Sequence, residues 1–205
     1  MIMQAITLAD IYDARKRIRP FVMETPLMKS EKLSVAHDAS IYLKLENLHE
    51  TGSFKIRGAT NRMLALTDEE KSRGVTTFST GNHGLAVAYM AVKLGIKAVI
   101  CISNRVPAAK VNQLTRLGAE VKKIGDNQDD AEAYAYELEK KEGLTFIPPF
   151  DDAEIISGQG TIGIELIEQL PRIDMAIIPV SGGGLFSGIS VVLKQYNPSI
   201  KVVGV

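Results

Sequence analysis

The sequence predicts an α/β protein with parallel sheets covered by helices, and three observations support this fold class. Short runs rich in β-branched residues, such as residues 75–78 and 97–102, alternate with segments of helical period. Most of these helical segments are ten residues or longer, as in helices that cover a parallel sheet. The 205 residues are 45% hydrophobic, which leaves room for a real core in one or two globular domains.

The elements follow one another in a regular order. Strands are expected at residues 41–45, 75–78, 97–102, 120–124, 145–147, 175–180 and 201–205. Helices are expected at residues 8–19, 55–66, 82–94, 108–117, 128–142, 154–169 and 185–196. Thr67 to Glu70 forms a capping-box pattern, and Gly118 and Gly143 are placed as C-terminal caps.

Turn-forming residues interrupt this order near residues 47–53 and 148–152. We therefore expect a small domain at residues 49–148, inserted between two pieces of a larger domain at residues 1–48 and 149–205.

Composition and charge exclude several classes of protein. The 24 basic and 24 acidic side chains balance, so charge gives no reason to expect nucleic acid or an anionic membrane as partner. We see no signal peptide and no apolar run of about 20 residues that could cross a bilayer. The single cysteine, Cys101, lies in an apolar run and is expected to be a buried strand residue. These features predict a cytoplasmic metabolic protein.

The first chemical motif is Ser53-Phe54-Lys55-Ile56-Arg57-Gly58, where a lysine stands at the start of a helix. The positive end of the helix dipole disfavours the charged form of a lysine placed there. A lysine that loses its proton easily can form a Schiff base with an aldehyde cofactor.

Two further motifs connect a strand to a helix. Ser79-Thr80-Gly81-Asn82-His83-Gly84 follows the strand at 75–78, and a turn of this kind presents backbone N–H groups to an anion. Ser181-Gly182-Gly183-Gly184-Leu185 follows the strand at 175–180, and its glycines leave N–H groups free to surround a phosphate. The glycine spacing differs from the dinucleotide-binding fingerprint.

Together the three motifs resemble those of the threonine/serine dehydratase family of fold-type II pyridoxal-phosphate enzymes. The resemblance extends from about residue 25 to residue 205, as if the chain were the N-terminal two-thirds of such an enzyme with its large domain incomplete. It implies that Lys55 carries pyridoxal 5′-phosphate, that Phe54 lies against the ring and that Asn82 bonds the ring hydroxyl.

The resemblance also assigns the two loops. It implies that the cofactor phosphate is bound by Ser181, Gly182, Gly183, Gly184 and Leu185. It implies that the substrate carboxylate is bound by Ser79, Thr80, Gly81, Asn82 and His83. Ser181 replaces the first glycine of many relatives. Thr80 stands where plain dehydratases often have alanine and racemising relatives have serine, so we count it as a catalytic candidate beside Lys55.

The function implied is elimination of water from L-threonine or L-serine, giving a 2-oxo acid and ammonia, with Lys55 as the base for the α-proton. Alternatives are a related catabolic dehydratase, such as one in ectoine breakdown, a serine racemase, or a non-catalytic fragment that binds cofactor or a sister subunit. A nucleotide-binding α/β module would leave Ser53-Phe54-Lys55 unexplained.

We expect an amino-acid substrate, a homo-oligomer and no metal site among these residues. Two carboxylates, Glu165 and Glu168, are expected on a solvated helix face.

Overall fold

The computed structural model describes residues 5–79 and 81–205. The helices are α1 (Leu8–Ile18), α2 (Glu31–His37), α3 (Lys55–Leu64), α4 (Asp68–Arg73), α5 (Asn82–Leu94), α6 (Ala108–Arg116), α7 (Gln128–Glu142), α8 (Ala153–Gln169) and α9 (Gly184–Tyr196), with a 3-10 turn at Glu46–Leu48. The strands are β1 (Leu27–Lys29), β2 (Tyr42–Lys44), β3 (Val75–Phe78), β4 (Ala98–Ile102), β5 (Glu120–Lys123), β6 (Thr145–Phe146), β7 (Met175–Ile178) and β8 (Lys201–Gly204).

A parallel sheet with the strand order β5-β4-β3-β6 forms the middle of the chain. Every residue of β3 and β4 is buried, because helices cover both faces of the sheet. Ala86, Val87 and Met90 of α5 join one core cluster, and Ala131 and Ala135 of α7 join a second cluster. The predicted parallel α/β architecture is confirmed here.

Outside this sheet, helix α8 joins the remaining long helices, since it packs against α1, α3 and α9. It contacts α3 through glycines: a Cβ on Gly158 would lie 2.6 Å from the Cα of Gly58. It contacts α9 in the same way, since a Cβ on Gly188 would lie 2.6 Å from the backbone N of Gly160. The absence of side chains at these points lets the helix backbones approach closely.

Two small sheets complete the fold. Strands β7 and β8 pair in parallel, with Ile177 opposite Val203, and the side chain of Ile177 is 66% exposed. Strands β1 and β2 pair antiparallel, with Met28 opposite Leu43. The sequence predicted neither β1 nor α2, nor did it predict an antiparallel pair.

Candidate functional site

Lys55 is the first residue of α3, and its side chain is partly buried. Its Nζ donates a hydrogen bond to the carbonyl oxygen of Pro149 at 2.5 Å and lies 5.4 Å from the centre of the Phe54 ring. Burial lowers the pKa of the Lys55 amine below its ordinary value. The amine is therefore easier to deprotonate than that of an exposed lysine, as the sequence predicted, although burial is the cause found here.

The loop between β3 and α5 carries the second set of predicted residues. Gly81 precedes α5, and its N–H donates to the Ser79 hydroxyl at 3.2 Å. Asn82 begins the helix and is exposed, whereas His83 is only 3% exposed. Thr80 lies outside the described residues.

His83 is a buried, neutral imidazole. Its Nε2–H donates to the carbonyl oxygen of Ile147 at 3.0 Å, and the Thr77 hydroxyl donates to the same oxygen at 2.8 Å. Burial lowers the pKa of His83 to about 4, and the charge of Lys55 acts in the same direction. His83 therefore links the start of α5 to the residue that follows β6 by a hydrogen bond. Its imidazole carries no charge at neutral pH.

The glycine loop between β7 and α9 contains two residues in the left-handed region, Ser181 with φ 46° and Gly183 with φ 87°. Gly183 precedes α9 and makes no side-chain cap, so no side-chain oxygen from that position occupies the first N–H groups of the helix. Such N–H groups, at the positive end of a helix, suit a phosphate. The loop ends at Leu185, whose side chain is buried.

The three motifs meet at the segment Ile147 to Phe150, which follows β6. Ile147 accepts from His83, and Pro149 accepts from Lys55. Phe150 lies against the glycine loop, since a Cβ on Gly182 would come within 2.3 Å of its ring. The lysine, the loop before α5 and the loop before α9 are thus brought to one place by a segment whose sequence suggested only a structural role.

A buried cluster of charged side chains lies at the other side of α3. Arg57 is 1% exposed and donates to both oxygens of Glu165, at 2.5 and 2.9 Å. It also donates to both oxygens of Glu46, at 2.7 and 2.8 Å. Lys44 forms an ion pair with Glu165 at 2.5 Å. We call Lys44, Glu46, Arg57 and Glu165 the Arg57 cluster.

The electrostatics of the Arg57 cluster follow from its pairing. Burial acts to raise the pKa of Glu46, but hydrogen bonds from His49, Arg57 and Thr25 lower it to about 2. Burial acts to lower the pKa of Arg57, but its bonds to the two carboxylates raise it. Glu46 and Arg57 therefore remain charged together inside the protein, whereas burial lowers the pKa of the Lys44 amine in spite of its contact with Glu165.

The expectation for Glu165 was wrong. Glu165 is 4% exposed, because Arg57 and Lys44 hold it in the Arg57 cluster. Glu168 does lie on the exposed side of α8, where its two oxygens accept from Arg15 at 2.6 and 2.5 Å. Helical spacing alone could not show which of the two carboxylates is buried, because the partners of Glu165 are distant in sequence.

A cavity of about 510 Å³ lies beside the Arg57 cluster and is lined by Arg57, Thr161 and Glu165 together with residues of α1 and the segment after it. None of Lys55, Asn82 and the glycine-loop residues lines it.

In the part of the chain that the structure describes, no helix combines the length and apolar character needed to span a membrane.

Fold and site together define a class: an α/β protein that brings a lysine of lowered pKa, a glycine-rich loop at the start of one helix and the loop at the start of another helix to one segment. Comparison with known proteins gives the family. The family described as "Pyridoxal-phosphate dependent enzyme" matches residues 18–205. The chain therefore belongs to the pyridoxal-phosphate-dependent enzymes of this family.

Its relatives include a putative threonine dehydratase of Sinorhizobium fredii, 44% identical over 98% of this chain and 60% of the relative. The L-threonine ammonia-lyase of Thermotoga maritima is 45% identical over 98% of this chain and 50% of that enzyme. The chain thus spans about half to three-fifths of the length of these curated relatives.

Solved structures agree. The processed form of threonine deaminase isoform 2 from Solanum lycopersicum superimposes with a TM-score of 0.93 at 41% identity, covering 96% of this chain and 54% of that one. Maize serine racemase superimposes with a TM-score of 0.94 at 39% identity, covering 98% of this chain and 61% of that one. The predicted fold-type II class is confirmed.

Proposed function

We propose that the protein is a pyridoxal-phosphate-dependent threonine/serine ammonia-lyase, which removes water from L-threonine or L-serine and gives a 2-oxo acid and ammonia. The observation that carries the proposal is Lys55, a lysine of lowered pKa held where three loops meet. The relatives named threonine dehydratase and L-threonine ammonia-lyase, at 44% and 45% identity, support it.

The residues present fit the cofactor. The glycine loop ends at the start of α9, where no side chain caps the helix, and the first N–H groups there suit a phosphate. Among the described residues, two buried hydroxyl oxygens just before Phe54 have no hydrogen-bond partner: Thr51 Oγ1 and Ser53 Oγ. Polar groups left in this state are those that a bound polar ligand or water would satisfy.

The proposed cofactor contacts come from two loops and the start of α3. Lys55 would carry the cofactor, and Phe54 and Asn82 would contact its ring. The phosphate would be bound by Ser181, Gly182, Gly183, Gly184 and Leu185. When bound, the cofactor supplies an electron sink for negative charge at the substrate Cα.

The protein groups then bind the substrate and move protons. The Nζ of Lys55 would take the Cα proton, a role that suits an amine whose pKa burial lowers below its ordinary value. The substrate carboxylate would be bound by Ser79, Thr80, Gly81, Asn82 and His83. Because His83 is neutral and bonded to Ile147, it would act by holding this loop in place.

Racemisation of serine is the second candidate. The similarity to maize serine racemase favours it, and Thr80 would provide a hydroxyl on the side of the substrate opposite Lys55. Elimination needs a base on one side only, so we rank racemisation second.

The remaining assignments are also proposals. We propose a large domain at residues 1–48 and 149–205 and a small domain at residues 49–148, with the cofactor between them. We propose a homo-oligomer in the cytoplasm. The one cysteine, Cys101, is buried and forms no disulfide, as is usual in a reducing compartment.

Borohydride trapping tests the central assignment. The purified chain is incubated with pyridoxal phosphate, reduced and mapped by mass spectrometry, and the pyridoxyl group is expected on Lys55. Lys55→Ala should lose trapping and turnover of threonine, whereas Lys110→Ala, an exposed lysine of α6, should keep both. Trapping on Lys44 or Lys110 in the unaltered chain would refute the assignment.

A further inference from the structure

We propose that Arg57 is a positioning residue: by binding Glu46 and Glu165, it fixes the first turn of α3 so that the amine of Lys55 faces the cofactor site. The inference rests on the proposed function, because it concerns the lysine that would carry the cofactor.

The first step is the geometry of α3. Residues two apart in an α-helix point in nearly opposite directions, because each residue turns the helix by about 100°. Lys55 reaches the carbonyl of Pro149, and Arg57 reaches Glu46 and Glu165. A rotation of the first turn of α3 would therefore displace the Lys55 amine whenever it displaced the Arg57 guanidinium.

The second step is the way Arg57 is held. Its guanidinium makes two hydrogen bonds to each carboxylate, and Nη1 also donates to the Thr161 hydroxyl at 3.1 Å. A guanidinium bound to two carboxylates in this forked way has a fixed plane and direction, which the ammonium group of a lysine cannot reproduce.

The two carboxylates are themselves held. Glu165 also binds Lys44. Glu46 accepts from the Thr25 hydroxyl at 2.6 Å and lies 3.1 Å from His49 Nε2. The Arg57 guanidinium thus binds two carboxylates that are each held in place by other side chains.

The third step is the role of α8, which connects the lysine to the glycine loop. Glu165 belongs to α8, and α8 packs against both α3 and α9. Helix α9 begins at the glycine loop. A shift of α3 along α8 therefore changes the position of Lys55 relative to that loop. Buried ion pairs contribute little net stability. We therefore assign the Arg57 ion pairs to the orientation of α3 rather than to stability.

The test separates binding of the cofactor from its covalent attachment. Pyridoxal phosphate attaches when the lysine amine condenses with its aldehyde and releases water. Pyridoxamine phosphate has an amine in place of the aldehyde and can only bind. Attachment is followed as the rate of the absorbance change and as the borohydride-trapped fraction, and the Kd of pyridoxamine phosphate is measured by titration.

The variant is Arg57→Lys, and the matched control is Arg15→Lys. Arg15 also binds both oxygens of an α8 carboxylate, Glu168, but on the exposed side of the helix. We expect Arg57→Lys to attach pyridoxal phosphate about 10- to 100-fold more slowly, the range typical of a reacting group misplaced by about 1 Å. Its Kd for pyridoxamine phosphate should stay unchanged, and Arg15→Lys should keep both values.

Each other outcome is decisive. Attachment at the parent rate in Arg57→Lys overturns the inference, and a parallel loss of attachment and pyridoxamine phosphate binding assigns Arg57 to stability alone. If Arg57→Lys does not fold, Glu46→Gln decides, because it keeps the shape of the side chain and removes one of the two acceptor oxygens that Glu46 offers to the Arg57 guanidinium. Slower attachment with unchanged Kd then supports the inference, and an unchanged rate refutes it. A parent chain that binds pyridoxamine phosphate but never attaches pyridoxal phosphate overturns the proposed function as well.

Discussion

His83 should make the stability of the protein fall between pH 7.5 and pH 5. Its pKa is 6.5 in the unfolded reference and about 4 in the folded protein, so the unfolded state binds the extra proton as the pH falls below 6.5. The contribution of His83 is therefore fully present above pH 6.5 and is lost progressively down to pH 4.

The size of the effect follows from these two values. Complete titration across the shift from 6.5 to about 4 corresponds to about 3.4 kcal/mol, at 1.36 kcal/mol for each pKa unit. At pH 5 the unfolded imidazole is almost fully protonated and the folded one is mostly neutral, which costs the folded state about 2 kcal/mol relative to pH 7.5.

Urea denaturation at pH 7.5 and pH 5.0 measures this loss. The parent chain and His83→Gln are compared, since glutamine keeps a hydrogen-bond donor for the Ile147 carbonyl and does not titrate here. The free energy of unfolding of the parent should fall by about 2 kcal/mol more than that of His83→Gln. His37→Gln, at the exposed end of α2, should behave like the parent. An equal fall in the parent and His83→Gln would refute the reasoning.

Gly158→Ala should destabilise the chain by about 1–3 kcal/mol in urea, because its Cβ would meet the backbone of Gly58; Gly81→Ala, with nothing within 4 Å, should cost less. We expect the exposed apolar face of β7 to contribute to self-association, because Ile177 is 66% exposed there. Ile177→Lys should therefore reduce self-association in analytical ultracentrifugation without lowering the melting temperature, and unchanged association would contradict this expectation. Thr80→Ala should spare most elimination and remove any racemisation of serine, and equal loss of both would assign Thr80 to carboxylate binding alone.

The sequence was sufficient for features that are determined locally. The start of α5 at Asn82 and both ends of α7 were predicted as observed, because Gly81 and Asn127 precede the helices and Gly143 ends α7. Strand β3 was also predicted with the observed ends, since Val75 to Phe78 is a short run flanked by a glycine and a polar turn.

Other features depend on contacts that no local pattern records. Strand β1 has three residues, too few to show a period, and it is defined by its pairing with β2. Helix α4 has no buried residue and therefore no apolar stripe, so only its capping box at Thr67 marked it. Glu165 was wrongly assigned to the surface because Arg57 and Lys44 are more than a hundred positions away in the chain.

The meeting of three loops at Ile147 to Phe150 has a consequence for folding kinetics. Lys55 and Ser181 are far apart in sequence, and β6, α8 and α9 must all be in place before they come together. Contacts of this kind close long loops at an entropic cost that is recovered only late, so we expect the site to form in the slow phase of refolding. Pyridoxal phosphate, which would bind only the completed site, should then slow unfolding more than it speeds folding.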